Sequence, residues 1–483
     1  MRQIHLHKAT SFLDTNVLEG NLLHLNLCGE RPDDIQEIYK TAFNTLHADS
    51  NSTFNDLAKN LNFLKLCREN GITHSGGPML GNISSEGASV WIRTLKPAKV
   101  EVRINVDGTV KTYGPVLSSE NTDMTAIVYV KDLKAETSYA YNVFIDGKPI
   151  NVDVQPYITT TPLEHLPSNA RIAFGTCYHR WGLCNQTLSH QIISREPLAL
   201  LLGGDIAAQD RRNHIGLHRA DYLLRDFHPA WKNMVSSLPV YATWDDHDYF
   251  DNDQYNIPGE SARGSMEVHY TLEDKEAVSD IFRASWNNPP YGSGEGGKGV
   301  FFRTRIGPAD VIMLDNRYFR EKGNFLGDQQ MEWLKEQLLD CEGPFIILSN
   351  GTMWSDYVSG GKDSWGVYDP EGREEIFKLI EENNIGGVLL ISGDRHGARG
   401  FRIPRPSGFN FYEFEVASLG ARVGPPPIRA DWDTQLFGIS GEYAFGEFDF
   451  DATLTDPEVT FRLIHENGAV LYELTLTKSQ LTP

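Results

Sequence analysis

Past Arg171 the chain alternates short apolar runs with stretches of helical spacing. Ile172–Phe174, Leu198–Leu202, Val240–Trp244, Val311–Leu314, Phe345–Leu348 and Val388–Ile391 are apolar along most of their length, the texture of strands buried on both faces of a sheet. Leu217–Val235, Asp328–Leu339 and Glu371–Glu382 lie between them with apolar residues at helical intervals, which predicts an α/β domain. From about Tyr412 the pattern returns to β-type runs at Phe414–Val416, Phe445–Phe450, Val459–Ile464 and Val470–Leu476, expected to complete a second sheet. Between Gly76 and Pro162 the runs are shorter and alternate: Ala88–Ile92, Val100–Ile104, Thr125–Val130 and Tyr139–Ile145, broken by turns such as Asp107–Gly108 and Asp146–Gly147. That is the pattern of a small β-sandwich. Pro32 to Asn70 reads as helical, with Asp33 or Asp34 as a cap and Ile35, Ile38, Ala42, Leu46, then Leu57, Leu61, Leu64 and Cys67 at helical spacing. The expected division is a helical appendage over 1–70, a β-sandwich over 71–165 and an α/β domain over 166–483.

Composition narrows the class. At 483 residues and 40% hydrophobic the chain is long enough for two or three ordinary globular domains. No window reaches the roughly 20 apolar residues of a membrane span, and Met1 to Thr15 lacks the charged-then-apolar order of a signal peptide. Lys+Arg of 44 against Asp+Glu of 65 leaves a net charge of -21, which repels a nucleic-acid backbone and argues against such a partner. Five cysteines, Cys28, Cys67, Cys177, Cys184 and Cys341, are few and odd in number, so no disulfide framework is expected. Gly292 to Gly299 nearly spells a phosphate-binding loop, but Gly299 stands where the Ser/Thr belongs and the segment precedes a strand. A surface loop is expected there.

The chemistry collects after the apolar runs. Cys177 and His179 follow Ile172–Phe174, Asp205 follows Leu198–Leu202, and Asp246 with His247 follows Val240–Trp244. Asn350 then follows Phe345–Leu348, and Asp394, Arg395 and His396 follow Val388–Ile391. One such cluster is usually a cap or a satisfied polar group; five at the carboxyl ends of successive strands, where open α/β sheets hold ligands, point to a site. Phe174–Gly175–Thr176–Cys177, Gly204–Asp205, Trp244–Asp245–Asp246–His247–Asp248 with Asn252–Asp253, Leu314–Asp315–Asn316–Arg317–Tyr318 and Ser392–Gly393–Asp394–Arg395–His396 resemble, in this order, the blocks of the PhoD-like alkaline phosphatases and phosphodiesterases, within the calcineurin-like metallophosphoesterase superfamily.

The resemblance implies a four-layer α/β/β/α catalytic sandwich preceded by an immunoglobulin- or fibronectin-like sandwich, and a site for two metal ions. One ion would be held by Cys177, His179, Asp205 and His396, a thiolate and imidazole set that favours zinc or iron. The other would be held by Asp205, Asp246, Asn350 and Asp394, an oxygen set that favours Ca²⁺, Mg²⁺ or Mn²⁺. In that family a Tyr ligand usually stands three residues after the shared Asp; here the position is Ala208, which weakens the case for ferric iron and leaves His179 to take the place. The ions would activate water against a small phosphoester. His247 would protonate the leaving group or stabilise charge on the phosphoryl oxygens, with a structural role orienting Asp246 as the bland alternative. Asp245 and Asp248 are expected to orient ligands. Arg317, Arg180 and Arg395 are expected to clamp phosphate, or else to neutralise the surplus carboxylates. Trp181, Trp286, Tyr291, Trp354 and Trp365 would wall the pocket or simply pack, and His214 and His218 follow no ligand spacing.

Monoester and diester hydrolysis are not separated by these motifs, and another oxyanion ester, such as a sulfate ester, stays open. The rival class is a non-catalytic binding protein that keeps a structural metal. The resemblance suggests a periplasmic or secreted setting.

Overall fold

The computed structural model describes residues 16–207, 210–258, 270–356, 363–421, 423–424, 428 and 433–483. Met1–Thr15 and Ala208 lie outside them. The N-terminal helices are Leu18–Leu25, Asp33–His47, Phe54–Lys59 and Leu61–Glu69. Pro32 is the N-cap of the second of these, and Asp33 and Asp34 occupy its first turn instead of capping it. Ile38, Ala42 and Leu46 pack with Leu217, Leu223 and Leu224 of helix Ile215–Phe227, so closely that a Cβ on Gly216 would lie 2.0 Å from the Leu46 carbonyl oxygen.

Eight strands follow: β1 (His74–Gly81), β2 (Ala88–Thr94), β3 (Ala98–Val106), β4 (Thr109–Ser118), β5 (Thr125–Val130), β6 (Ser138–Ile145), β7 (Lys148–Pro149) and β8 (Tyr157–Thr159). They form one sheet in the order β1-β2-β5 and another in the order β4-β3-β6-β7, with β8 on β6. Val100, Val102 and Ile104 of β3 alternate inward and meet Val90, Ile92 and Val128. β4 escaped the sequence pattern because it is an edge strand, mostly exposed on both faces. Tyr141 donates from its hydroxyl to the Ser236 carbonyl at 2.7 Å, and Trp91 Nε1 to Ala284 O at 2.9 Å, joining these sheets to the part that follows.

The remaining strands are β9 (Asn169–Gly175), β10 (Ala199–Leu202), β11 (Val240–Ala242), β12 (Phe302–Ile306), β13 (Ala309–Met313), β14 (Phe345–Ser349), β15 (Val388–Ser392), β16 (Gly397–Pro404), β17 (Asn410–Ala417), β18 (Gln435–Ile439), β19 (Ala444–Asp451), β20 (Glu458–His465) and β21 (Val470–Thr477). Two sheets result, ordered β11-β10-β9-β19-β20-β21 and β12-β13-β14-β15-β17-β16-β18. The late strands are therefore divided: β17 joins the second sheet in parallel to β15, whereas β19–β21 extend the first from the antiparallel pair β9–β19. In β14 and its neighbours the period of two is plain. Val311, Met313, Ile347, Leu389 and Ile391 enter the core shared with Phe174 and Phe448, while Ile312, Leu314, Ile346, Leu348 and Leu390 meet helices Gly327–Leu339 and Pro370–Glu382. Aromatic contacts link the sheets: Phe345 of β14 to Phe450 of β19 at 4.9 Å and Phe414 of β17 to Phe461 of β20 at 4.1 Å between centroids, each buried ring contributing about 1.5–3 kcal/mol.

Local differences have local reasons. Leu217–Val235 divides at His228, because Pro229 opens a new helix, Pro229–Val235. Cys28 and Cys184 form a disulfide across 156 residues, a single bond where no framework was expected. Gly294–Gly296 form the exposed tip of a surface loop, and Lys298 pairs with Asp280 at 2.6 Å.

Candidate metal centre

Strands β9, β10 and β11 run parallel in one sheet and β13, β14 and β15 in the other, so the loops after all six open on one side. Those loops bring together most of the residues singled out above. Cys177, His179, Asp205 and His396 place ligand atoms within 4.8 Å of one another; so do Asp205, Asp246 and His247, and so do Asp245, Asp246 and Asp394. Asp205 belongs to the first two groups and Asp246 to the last two. Cys177 Sγ lies 3.6 Å and His179 Nε2 3.8 Å from Asp205 Oδ2, and His179 Nε2 lies 3.3 Å from His396 Nε2.

The backbone at this cluster is unusual. Cys177, His179, Asp205, Asp394 and His396 have φ of 54°, 47°, 55°, 76° and 41°, a left-handed conformation that costs about 1–3 kcal/mol where the residue is not glycine. Hydrogen bonds hold it in place: Cys177 N–H donates to Gly204 O at 3.1 Å and His179 N–H to Asp205 O at 2.9 Å. Asp248 supports the neighbouring turn, accepting from the amides of Ile206 at 2.9 Å and Ala207 at 3.1 Å. Gly204 is required as such, since a Cβ there would meet the Asp245 Cβ at 2.5 Å. Asp246 and His247 occupy the first turn of the short helix Asp246–Tyr249, and the amides of His247 and Asp253 donate to the two Asp246 oxygens at 2.9 and 2.6 Å.

Charge at the cluster is strongly one-sided. Asp205, Asp245, Asp246 and Asp248 are all buried. Burial, reinforced by Asp246, Asp245 and Asp248, raises the Asp205 carboxyl well above its usual range against the opposing pull of His247. Burial likewise pushes Asp394 up to about 6 against Arg395, and burial with Asp205 raises the Cys177 thiol. His247 shows the reverse. Burial alone would lower its pKa, yet Asp210, Asp246 and Asp205 raise it well above the ordinary imidazole value, and its Nδ1 lies 2.6 Å from Asp210 Oδ1. Asp205 Oδ1 and Asn350 Oδ1 are buried with no hydrogen-bond donor among the described residues. Buried acceptors are normally satisfied, so these two oxygens and the unneutralised carboxylates fit cations.

The arginines depart from expectation. Arg317 is completely buried, with Nε 2.5 Å from Asp245 Oδ1 and an Nη 2.7 Å from Asp363 Oδ2. It is tied between two carboxylates and is not presented to a substrate; Asp363, which completes the tie, went unnoticed in the sequence. Arg180 is also buried and pairs with Asp221 on helix Ile215–Phe227, away from the cluster. Only Arg395, partly exposed and 3.1 Å from Asp394, stands at the rim. Asp210 was missed as well, although it is the acidic residue that holds His247. Trp181 stacks on His179 at 4.6 Å; Trp286, Trp354 and Trp365 are core residues. His214 caps helix Ile215–Phe227 by accepting from the Leu217 amide, and His218 contacts Arg212 O.

Residues 207–429 match the family model described as PhoD-like phosphatase. Over that stretch, a little under half of its length, the chain is similar to the PhoD-like phosphatases. That match takes in Asp246, His247, Arg317, Asn350, Asp394, Arg395 and His396 and begins two residues after Asp205. Residues 74–161 match a second model, Domain of unknown function (DUF7800), over the β1–β8 region. Alkaline phosphatase D of Bacillus subtilis (strain 168) is 24% identical over 223 residues, 40% of this chain and 36% of that protein, so the matched part spans little more than a third of the relative. Among solved structures, one titled Structure of PhoD superposes with a TM-score of 0.69 at 15% identity, over 85% of this chain and 91% of that one. The purple acid phosphatase PPD1 of yellow lupin (Lupinus luteus) gives 0.61 at 14% identity, over 83% and 74%. At these identities the superpositions show a shared mixed α/β fold.

Proposed function

We propose that the chain hydrolyses phosphoesters, monoesters, diesters or both, with two cations held at the ends of β9, β10, β11, β14 and β15, in a four-layer α/β/β/α arrangement. The observation that carries this reading is Asp205: it shares one cluster with Cys177, His179 and His396 and another with Asp246, and one of its buried oxygens has no donor among the described residues. Cys177, His179, Asp205 and His396 would hold zinc or iron, and Asp205, Asp246, Asn350 and Asp394 would hold Ca²⁺, Mg²⁺ or Mn²⁺. When bound, such a pair supplies an activated water and neutralises charge on the phosphoryl oxygens. His247, kept protonated by Asp210, delivers a proton to the leaving oxygen from Nε2. Arg395 meets the phosphate at the rim, while Arg317 and Arg180 hold the frame. A periplasmic or secreted setting is supported by the Cys28–Cys184 bond; no helix among the described residues is long and apolar enough to cross a membrane.

Rates on an aryl monophosphate and a bis-aryl phosphate, measured with metal analysis on protein purified without chelator, test the reading. Two metals per chain and turnover of either ester are expected. Turnover of neither by metal-loaded protein, or turnover of an aryl sulfate in preference, would overturn it.

A further inference from the structure

Helix Leu18–Leu25 lies outside both large sheets, yet three kinds of contact attach it to the segment that carries Cys177 and His179. The first is covalent: Cys28, just past the helix, is bonded to Cys184. The second is a buried polar network. Asn21 Oδ1 accepts from Arg180 Nη1 at 3.2 Å and Arg211 Nη2 at 3.5 Å, and both guanidiniums pair with Asp221. The third is a run of rings: His24 is stacked with Trp181, centroids 6.4 Å apart, and Trp181 with His179 at 4.6 Å and 21°. His179 needs such support, because its φ of 47° is a conformation that a histidine keeps only when its surroundings impose it.

We propose that this N-terminal helix is a positioning element of the metal centre: through Trp181 it sets the ring of His179, and the disulfide with the Asn21–Arg180–Asp221 network sets the helix. The inference rests on the two-cation reading above. Trp181 acts through His179 and is a positioning residue. Groups that orient a metal-ligating histidine typically change metal affinity about 10–100-fold when removed, and only the cation that His179 touches should feel the loss. The Asp246, Asn350 and Asp394 side of the centre hangs from other strands and should not.

Cobalt(II) is the probe, titrated into chelator-stripped full-length protein, because a cobalt ion bound to the Cys177 thiolate has a charge-transfer absorption that the oxygen-bound ion lacks. In Trp181→Leu and in Cys28→Ser/Cys184→Ser the thiolate-absorbing cobalt should bind about 10–100-fold more weakly with an altered band, as in His179→Gln, while the second cobalt binds as before. Trp181→Phe, which keeps a ring on His179, should restore the unaltered affinity and so separate positioning from folding. Affinities within twofold and an unchanged band in both variants overturn the proposal, as does equal weakening of both cobalt sites. If the unaltered chain takes up no cobalt, the two-cation reading fails and this proposal with it; cobalt uptake that ignores the variants sinks the proposal alone.

Discussion

Replacing Arg317 by methionine tests whether this arginine is a phosphate clamp or a buried tie. A clamp would raise KM and leave folding alone. The structure argues otherwise: the guanidinium is fully buried, 2.5 Å from Asp245 and 2.7 Å from Asp363, while Asp363 also takes Arg320 at 2.6 Å. Unit charges about 4 Å apart at an effective dielectric constant near 20 attract by about 4 kcal/mol, and breaking a buried pair from one side typically costs about 3–5 kcal/mol. Asp245 retains Asn316 at 2.9 Å and Asp363 retains Arg320, so Arg317→Met should lose about 3–5 kcal/mol in all, against a total stability of about 5–15 kcal/mol for a folded domain. Arg317→Lys keeps a charge but not the fork and should lose less. Urea unfolding followed by tryptophan fluorescence, with chelator present, measures both. Acid adds a second readout. Arg317 and Arg320 hold the Asp363 carboxyl well below its usual range, so its stabilisation is present above the unfolded carboxylate pKa and vanishes as pH falls through the folded one; in Arg317→Met that loss should begin at higher pH. A loss under about 1 kcal/mol, below every value for a broken buried pair, together with a raised KM, would refute the reasoning and restore the clamp.

Asp246→Ala should lose bound metal and activity together, whereas His247→Ala should keep its metal, by elemental analysis, and lose about 10²–10⁴-fold in kcat. Because Asp210 helps raise the His247 pKa, Asp210→Asn should move the alkaline limb of the kcat profile to lower pH; an unmoved limb would remove His247 as the acid. Asp394 and Asp248, each pushed up to about 6 by burial, and Asp205, which burial raises well above the usual carboxylate range, bind protons in the folded state that the unfolded chain has released. Their stabilisation is complete below the unfolded carboxylate pKa and is lost as pH rises through the folded values, so the metal-free Tm should fall from about pH 4 to beyond pH 6. Added Zn²⁺ or Mn²⁺ should reverse the fall, and a metal-free Tm that rises over this range would contradict the burial of these carboxylates.

The strands were legible because burial on both faces leaves few residue types available: Phe345–Leu348 and Val388–Ile391 reappear almost unchanged in β14 (Phe345–Ser349) and β15 (Val388–Ser392). The clustering of Cys177, His179, Asp205, Asp246, Asp394 and His396 was legible for a related reason, since each sits within a few positions of such a run. Where a residue's meaning depends on a distant partner, local pattern fails. Arg317 beside a cluster of aspartates reads equally well as a clamp or a counter-ion, and what decides is Asp363, 46 residues on. Cys28 and Cys184 are 156 residues apart in a chain with five cysteines, and pairing across that distance leaves no spacing to read.

The left-handed residues show a subtler limit. Cys177, His179 and His396 carry Cβ atoms where the backbone favours glycine, so a propensity reading steers away from the conformation they adopt. A glycine at any of them would relax the backbone and remove a side chain from the candidate metal cluster. The strain is then held by surroundings that lie elsewhere in the chain, the Gly204 and Asp205 carbonyls and, for His179, Trp181 with the helix behind it. A helix whose own residues suggest only packing can in this way bear on the chemistry of a site it does not enter. For the same reason, substitutions in Leu18–Leu25 should register in metal affinity before they register in the fold of either sheet.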